Sequence, residues 1–234
     1  MNRIKNNNNI TVAHRFNKVA DQFESIIDDY SVSRRHEIVL PLLCGKVLIT
    51  GCGTKSFESK KSTLSLIYMD IAYNMCRMVK KKSHTAICGD AEMLPFSNHS
   101  LDHIVSLEMV YYLNQPNRFF NESYRTLKPG GLMMVSSFNQ RLVWYDRIIR
   151  RLLRICSIGP HYFDDPVKRF FYKDELIKMM INHGFQIDCS RSLLIVPFRK
   201  MKFLDEQLEK TFFKHFAMFH MIIARKPHDT IIIN

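Results

Sequence analysis

Five short apolar runs punctuate the first 140 residues: Lys46–Thr50, Leu64–Met69, Thr85–Cys88, His103–Leu107 and Leu132–Ser137. They are apolar nearly throughout rather than alternating, which suits strands buried on both faces. Between them lie stretches with helical spacing, such as Ala72–Lys82 and Asn117–Leu127. Strands alternating with helices predict a parallel, doubly wound sheet. Lys128-Pro129-Gly130-Gly131 marks the last helix-to-strand join, where proline stops a helix and glycine permits a reversal. Ahead of the first strand, residues His14 to Leu43 read as one or two helices, with Phe16, Val19, Ala20 and Phe23 at i, i+3, i+4 and i+7.

Beyond Ser137 the rhythm changes. Arg141 to Ile155 reads as a basic amphipathic helix broken by Gly159-Pro160, followed by the aromatic groups His161-Tyr162-Phe163 and Phe170-Phe171-Tyr172. A further helix over Lys173–His183 stops at Gly184. Two last strands are expected, Phe185–Val196 and Ala217–Ala224, with helical spacing from Phe203 to Lys214 between them. The expected organisation is a disordered leader over 1–13, then one domain over 14–234. That domain carries an N-terminal helical flap (14–43) and a lid inserted after the fifth strand (138–172).

Composition adds bounds. The chain has 234 residues, 46% of them hydrophobic, enough for one packed core. No run approaches the length of a membrane span, and the asparagine-rich start lacks the apolar core of a secretion signal, so a cytoplasmic location is expected. Six cysteines form no C-x-x-C pair and are read as free thiols, and no metal site is expected. A net charge of +12 points to an anionic partner without choosing among nucleic acid, acidic protein, lipid or phosphorylated small molecule.

The first strand stops at Gly51-Cys52-Gly53-Thr54, and Asp70 closes the second, 19 positions after Gly51. A glycine bend lets backbone approach a ligand, and an acid at the next strand's tip can accept from both hydroxyls of a ribose. Asp90, after the third strand, can accept from an adenine amine while the Ala91 N–H donates to a ring nitrogen; the plainer reading is that Asp90 caps a turn. A dinucleotide-binding G-x-G-x-x-G would need glycine at position 56, which is Ser56, and gives no reason for the Asp90 segment.

Taken together, Val47–Lys55, Tyr68-Met69-Asp70-Ile71-Ala72, Gly89-Asp90-Ala91-Glu92-Met93-Leu94-Pro95-Phe96, Leu101–Ser106 and Arg125–Gly131 resemble the class I S-adenosylmethionine-dependent methyltransferases, nearest those acting on small molecules and lipids. The resemblance implies a Rossmann-like fold with a mostly parallel seven-stranded sheet and helices on both faces. It implies S-adenosylmethionine as cofactor, its methionine part held by Gly51, Cys52, Gly53 and Thr54, its ribose by Asp70, its adenine by Asp90 and Ala91, with Ile71, Leu107 and Glu108 lining the site. Ile49 stands where the family carries an acid, and Lys55 replaces the loop's last glycine. These departures keep open a second reading, a catalytically degenerate binding or scaffold protein of the same fold.

Methyl transfer from a sulfonium needs mainly alignment, and a general base only where the acceptor must shed a proton. Tyr111, Tyr112 and His161 are the candidate catalytic groups, with an aromatic pocket wall as the plainer role for the tyrosines. The acceptor is expected to be small, lipid-like or bound to an acidic carrier protein; the segment Arg15–Ala20 is similar to methyltransferases of quinone precursors and of malonyl-acyl carrier protein. Arg147, Arg150, Arg151 and Arg154 share one helix face and suggest anionic carrier or membrane contact, or simply a solvated face. An RNA methyltransferase is the remaining alternative, and no stable nucleic-acid complex is expected, because Ser106-Leu107-Glu108-Met109 stands where an Asn/Asp-Pro-Pro-Tyr amine site would lie.

Overall fold

The computed structural model describes residues 3–26, 29–54, 63–82, 84–142, 167–196 and 199–228. Seven strands form one sheet: β1 (Gly45–Thr50), β2 (Leu64–Asp70), β3 (Thr85–Cys88), β4 (Leu101–Leu107), β5 (Leu127–Phe138), β6 (Gln186–Leu193) and β7 (Phe219–Arg225). Their order is β3-β2-β1-β4-β5-β7-β6. The first five pair in parallel, and β7 runs antiparallel to both β5 and β6. After β1 the chain builds outward through β2 and β3, then returns to the other side of β1 for β4. The carboxyl ends of β1 and β4 therefore flank the point where the winding reverses, the place at which open sheets of this kind bind ligands.

Over the carboxyl-terminal parts of the central strands consecutive side chains enter opposite cores, whereas Ser65 near the start of β2 and Lys128 near the start of β5 are exposed. Leu48, Ile104, Met133, Val135, Ile222 and Ala224 pack on one face beneath Phe119 and Phe120 of helix Pro116–Thr126 and Leu176 and Met180 of helix Lys173–Asn182. Val47, Ile49, Val105, Met134, Met221 and Ile223 pack on the other, beneath Tyr30 and Val39 of helix Asp29–Val39 and Cys76 and Val79 of helix Tyr73–Lys81. This two-sided burial explains why the strands read as continuous apolar runs. Ile49 is thereby directed into the second core, where an ionised acid would be costly to bury.

The flap follows the helical expectation and extends it. Its first helix spans Arg3–Val19, so helical backbone enters the stretch expected as disordered leader, and Val12 is already buried. The flap is seated on helix Tyr73–Lys81 through Ala20, Phe16, Val19 and Phe23 against Ala72 and Met75. Asn17 adds two hydrogen bonds, its Oδ1 accepting from the Asn74 N–H at 2.7 Å and its carbonyl from Asn74 Nδ2 at 3.0 Å.

The helix expected over Phe203–Lys214 divides into Lys202–Leu208 and a 3-10 turn over Phe212–Phe216. Its apolar side chains face outward, and Asp205 is the one buried residue of Lys202–Leu208. Ion pairing explains the inversion. Arg34, buried on helix Asp29–Val39, pairs with Glu37, Asp205, Glu206 and Glu209 at 3.0–3.9 Å, and Asp205 Oδ1 accepts from the Ile195 and Val196 N–H groups. Of the lid span 138–172, residues 143–166 lie outside the described residues, as do Lys55, His161 and the arginines at 147, 150, 151 and 154.

Replacing Arg34 removes the cation facing Glu209 and the fully buried Asp205, while Lys202 still pairs with Glu37 and Glu206. Arg34→Met is expected to lower stability by about 3–5 kcal/mol, read from the urea midpoint of equilibrium unfolding.

Candidate functional site

Strand register brings the singled-out residues to one rim. Thr50 pairs with Met69 and Ser106, Asp70 with Cys88, and Leu107 with Ser136, so Gly51, Asp70, Gly89-Asp90 and Glu108 all leave the same edge of the sheet. The bend at the end of β1 carries two glycines with left-handed backbone, φ +61° at Gly51 and +55° at Gly53. A Cβ on Gly51 would stand 2.4 Å from Met109 Cγ, and one on Gly53 would stand 2.5 Å from Phe23 Cε1. Only glycine meets both conditions at little cost.

Asp70 holds the bend in place. Its Oδ2 accepts from the Gly53 N–H at 3.1 Å and its Oδ1 from the Ala72 N–H at 2.9 Å, while its own carbonyl accepts from the Gly89 N–H at 2.9 Å. One residue thus fastens together the exits of β1, β2 and β3. Burial pushes its carboxyl up to about 6, against the opposing pull of the Ala72, Gly53 and Ile71 N–H groups. With about four acceptor positions on its two oxygens, the carboxylate retains room for a further donor. Beside it Thr54 is wholly buried, and its Oγ1 has no hydrogen-bond partner among the described residues. The Thr54 carbonyl accepts from Lys82 Nζ at 3.0 Å, and the same ammonium pairs with Glu24 of the flap.

Asp90 closes a turn, its Oδ1 accepting from the Glu92 N–H at 2.9 Å. The plainer reading of that residue therefore describes one of its contacts. The segment that follows is tightly held. Glu92 Oε1 accepts from the Asn114 and Gln115 N–H groups at 2.6 and 2.8 Å, at the start of helix Pro116–Thr126, where a negative charge is favoured. Arg125 donates to the Phe96 and Leu94 carbonyls, and Glu122 accepts from the Leu94 N–H. Ala91 and Ile71 are half-buried at the same rim, and Leu107 packs partly into the second core.

Glu108 follows β4 with φ +57°, a conformation uncommon for a residue with a side chain. Its Oε1 accepts from Ser136 Oγ at 2.5 Å and its Oε2 from the Tyr111 hydroxyl at 3.3 Å. Burial raises its carboxyl above the ordinary range, opposed by the charge of Arg35 and by these two hydroxyls. Burial and the neighbouring Glu108 also drive the Tyr111 phenol well above its usual value. A phenol held protonated in this way donates a hydrogen bond. The two tyrosines form part of an aromatic wall. Tyr111 lies 4.7 Å from Tyr112 and 5.5 Å from Phe170 between ring centroids, and Tyr112 meets Phe16 of the flap edge-on at 5.2 Å.

Sequence reasoning passed over Ser136 and Arg35. Ser136 had a signal, being a polar residue opposite Leu107 at the end of an apolar strand; Arg35 had none beyond its charge. His103 is engaged in the scaffold, its Nδ1 accepting from the Leu132 N–H at 3.2 Å and its Nε2 lying 3.2 Å from Cys44 Sγ. Among the described residues Cys44, Cys52, Cys76, Cys88 and Cys189 are free thiols, and no helix is long and apolar enough to cross a membrane.

A methyltransferase-domain family profile matches residues 48–135. The chain is 26% identical over 205 residues to the demethylmenaquinone methyltransferase of Renibacterium salmoninarum, covering 78% of this chain and 86% of that protein. It is 31% identical over 128 residues to the malonyl-[acyl-carrier protein] O-methyltransferase of Herminiimonas arsenicoxydans and 31% identical over 134 residues to the biotin biosynthesis bifunctional protein BioHC of Cellvibrio japonicus. It spans 49% of the former and 27% of the latter. In architecture it is similar to an S-adenosylmethionine-dependent methyltransferase of Thermotoga maritima, with a TM-score of 0.67 at 20% identity over 92% of this chain and 99% of that one. The corresponding protein of Mesorhizobium loti gives 0.60 at 20% identity over 81% and 95%. At this identity the structural likeness shows the fold.

Two substitutions probe the bend. Gly53→Ala is expected to destabilise by at least about 1–2 kcal/mol from its left-handed backbone, with the contact to Phe23 adding to that. Combining it with Phe23→Ala should recover the contact portion alone in a double-mutant cycle. Asp70 supplies a pH signature. Its carboxyl titrates near 6 in the folded chain and near 3.8 when unfolded, so the folded state binds more protons between those values. Stability from this group is therefore fully present below pH ~4 and lost as pH rises through ~6, by on the order of 3 kcal/mol. Asp70→Asn should remove that slope from a series of urea titrations at successive pH values.

Proposed function

Because the chain belongs to the class I S-adenosylmethionine-dependent methyltransferases, we propose that it transfers a methyl group to a small organic or carrier-bound acceptor at the rim between β1 and β4. The observation carrying this reading is the joint made by Asp70, which gathers the glycine bend and the exit of β3 into one crevice edge.

The residues present fit the family's cofactor. Gly51 and Gly53 let the bend take a left-handed turn close under Met109 and Phe23, the buried Thr54 hydroxyl lacks a partner among the described residues, and Asp70 keeps acceptor capacity for ribose hydroxyls. Asp90 and Ala91, in a segment braced by Glu92, Glu122 and Arg125, would read the purine edge, and Ile71, Leu107 and Cys52 would supply apolar lining. S-adenosylmethionine supplies an activated methyl carbon when bound, so the protein's task is alignment. Orientation and exclusion of water provide about 7–11 kcal/mol of barrier lowering.

This chain's side chains divide that work. Phe23 roofs the bend, while Phe16 and Tyr112 continue the roof toward Glu108. Tyr111 and Ser136 fix the Glu108 carboxyl by donating to its two oxygens. Glu108 then stands at the acceptor's approach as the proton-accepting group for a hydroxyl or amine; a carboxylate acceptor needs none. The acceptor class takes support from the relatives named for a quinone precursor and for a malonyl carrier thioester, both organic acceptors.

S-adenosylhomocysteine at ~100 times its dissociation constant should add about 2.7 kcal/mol of stability, raising the melting temperature by roughly 5–10 °C for a chain of this size. Asp70→Ala should abolish the shift. An unchanged melting temperature of the natural protein would remove the reading.

A further inference from the structure

Arg34 and Arg35 are neighbours on helix Asp29–Val39, and both are buried, 5% and 6% exposed. Their surroundings differ completely. Arg34 is met by four carboxylates. Among the described residues no carboxylate lies within ion-pair distance of Arg35, and its Nε and Nη1 are sealed from solvent with no acceptor. Its one close partner is the ring of Phe219, with the guanidinium carbon 4.4 Å from the centroid. A cation over an aromatic face recovers part of the lost hydration, but buried donors left unpaired remain costly. The fold can surround a buried arginine with acids, as it does one residue earlier. At Arg35 the described residues supply none.

Position indicates where the missing anion comes from. Phe219 opens β7 opposite Phe138 of β5. In the sheet order β7 stands two strands beyond β4 and three beyond β1, about 10 and 14 Å at ordinary strand spacing. The glycine bend, Asp70 and Asp90 lie on the other side of Glu108, at the ends of β1, β2 and β3. A cofactor laid from the bend toward Asp90 therefore runs away from Arg35. Aromatic rings fill the interval on the near side: Tyr111 stacks near Phe170, Phe170 meets Phe138 at 6.2 Å, and Phe138 meets Phe219 at 4.6 Å. Glu108 feels the charge of Arg35, yet both its oxygens already hold hydroxyl donors.

We propose that Arg35 docks a carboxylate of the methyl acceptor, with the acceptor's apolar body lying along the wall formed by Tyr111, Phe170, Phe138 and Phe219. This deepens the reading of the site as a methyltransferase and rests on it. The acceptor class is a carboxylic acid with an apolar skeleton, gripped by the two-pronged geometry that guanidinium offers to carboxylate.

The test uses the full chain saturated with S-adenosylhomocysteine, octanoate as probe and 1-octanol as its uncharged control. Octanoate should raise the melting temperature by a few degrees and octanol should not. Arg35→Met should lose the octanoate shift while binding S-adenosylhomocysteine within about twofold of the natural protein, and Arg35→Lys should keep part of the shift. Without ligand, Arg35→Met should melt no lower than the natural protein, because an apolar side chain replaces an unpaired buried cation.

Several results would overturn the inference. These are no octanoate shift in the natural protein while S-adenosylhomocysteine binds, an equal shift with octanol, an octanoate shift that survives in Arg35→Met, and ligand-free Arg35→Met melting several degrees lower. A tenfold loss of S-adenosylhomocysteine affinity in Arg35→Met, with 5′-methylthioadenosine unaffected, would assign the carboxylate to the cofactor and overturn it as well. Failure of the natural protein to bind S-adenosylhomocysteine at all would instead strike the parent reading.

Discussion

The carboxylate of Asp70 is the joint on which the rim depends. Two backbone N–H groups from different chain segments converge on it, and its own peptide carbonyl receives a third from the exit of β3. It acts beside a backbone bond from the Cys52 N–H to the Met69 carbonyl, which also ties the left-handed bend to β2. The arrangement is tense in one respect, since burial lifts the acid well above its ordinary range while the N–H groups pull it back. A ligand donating further hydroxyl protons would favour the ionised form, so binding and the order of the empty rim draw on the same group.

Around that joint the sheet is a stiff platform. Every central strand is packed from both sides, and the segments after β3 and β4 are pinned by side chains of helix Pro116–Thr126 and by Ser136. The left-handed Glu108 is held within this frame by its N–H bond to the Ser136 carbonyl and by its two hydroxyl donors. That support offsets the cost of an uncommon backbone state.

Much of this was legible in the residues because it is repetitive or local. Strands buried on both faces announce themselves as apolar runs, and Gly51, Gly53 and Asp70 stand at strand ends where their chemistry has few other uses. Relations between distant segments were not legible. Nothing local in Ser-Arg-Arg-His tells that Arg34 enters an acidic cluster and Arg35 an aromatic one, since adjacent charges on a helix read as one solvated face. The stretch 203–214 misled for the same reason: its apolar spacing suggests burial by phenylalanines, whereas the buried side is set by Asp205 answering Arg34 from 171 residues away. Ile49 shows the converse. Its departure from the family pattern looks like a lost ligand in the sequence, and in the fold it is a core residue beneath helix Asp29–Val39.

The seating of the flap has a kinetic consequence. Phe23 closes over the glycine bend, and Asn17 and the Lys82–Glu24 pair tie the same helices to the platform. Whatever occupies the bend is enclosed by a lever whose release breaks an amide clasp and an ion pair and bares two phenyl rings. Turnover would then keep time with the lifting of that lever, and high ionic strength, which weakens the Lys82–Glu24 half of the clasp but not the amide half, would quicken the exchange of spent cofactor only in part.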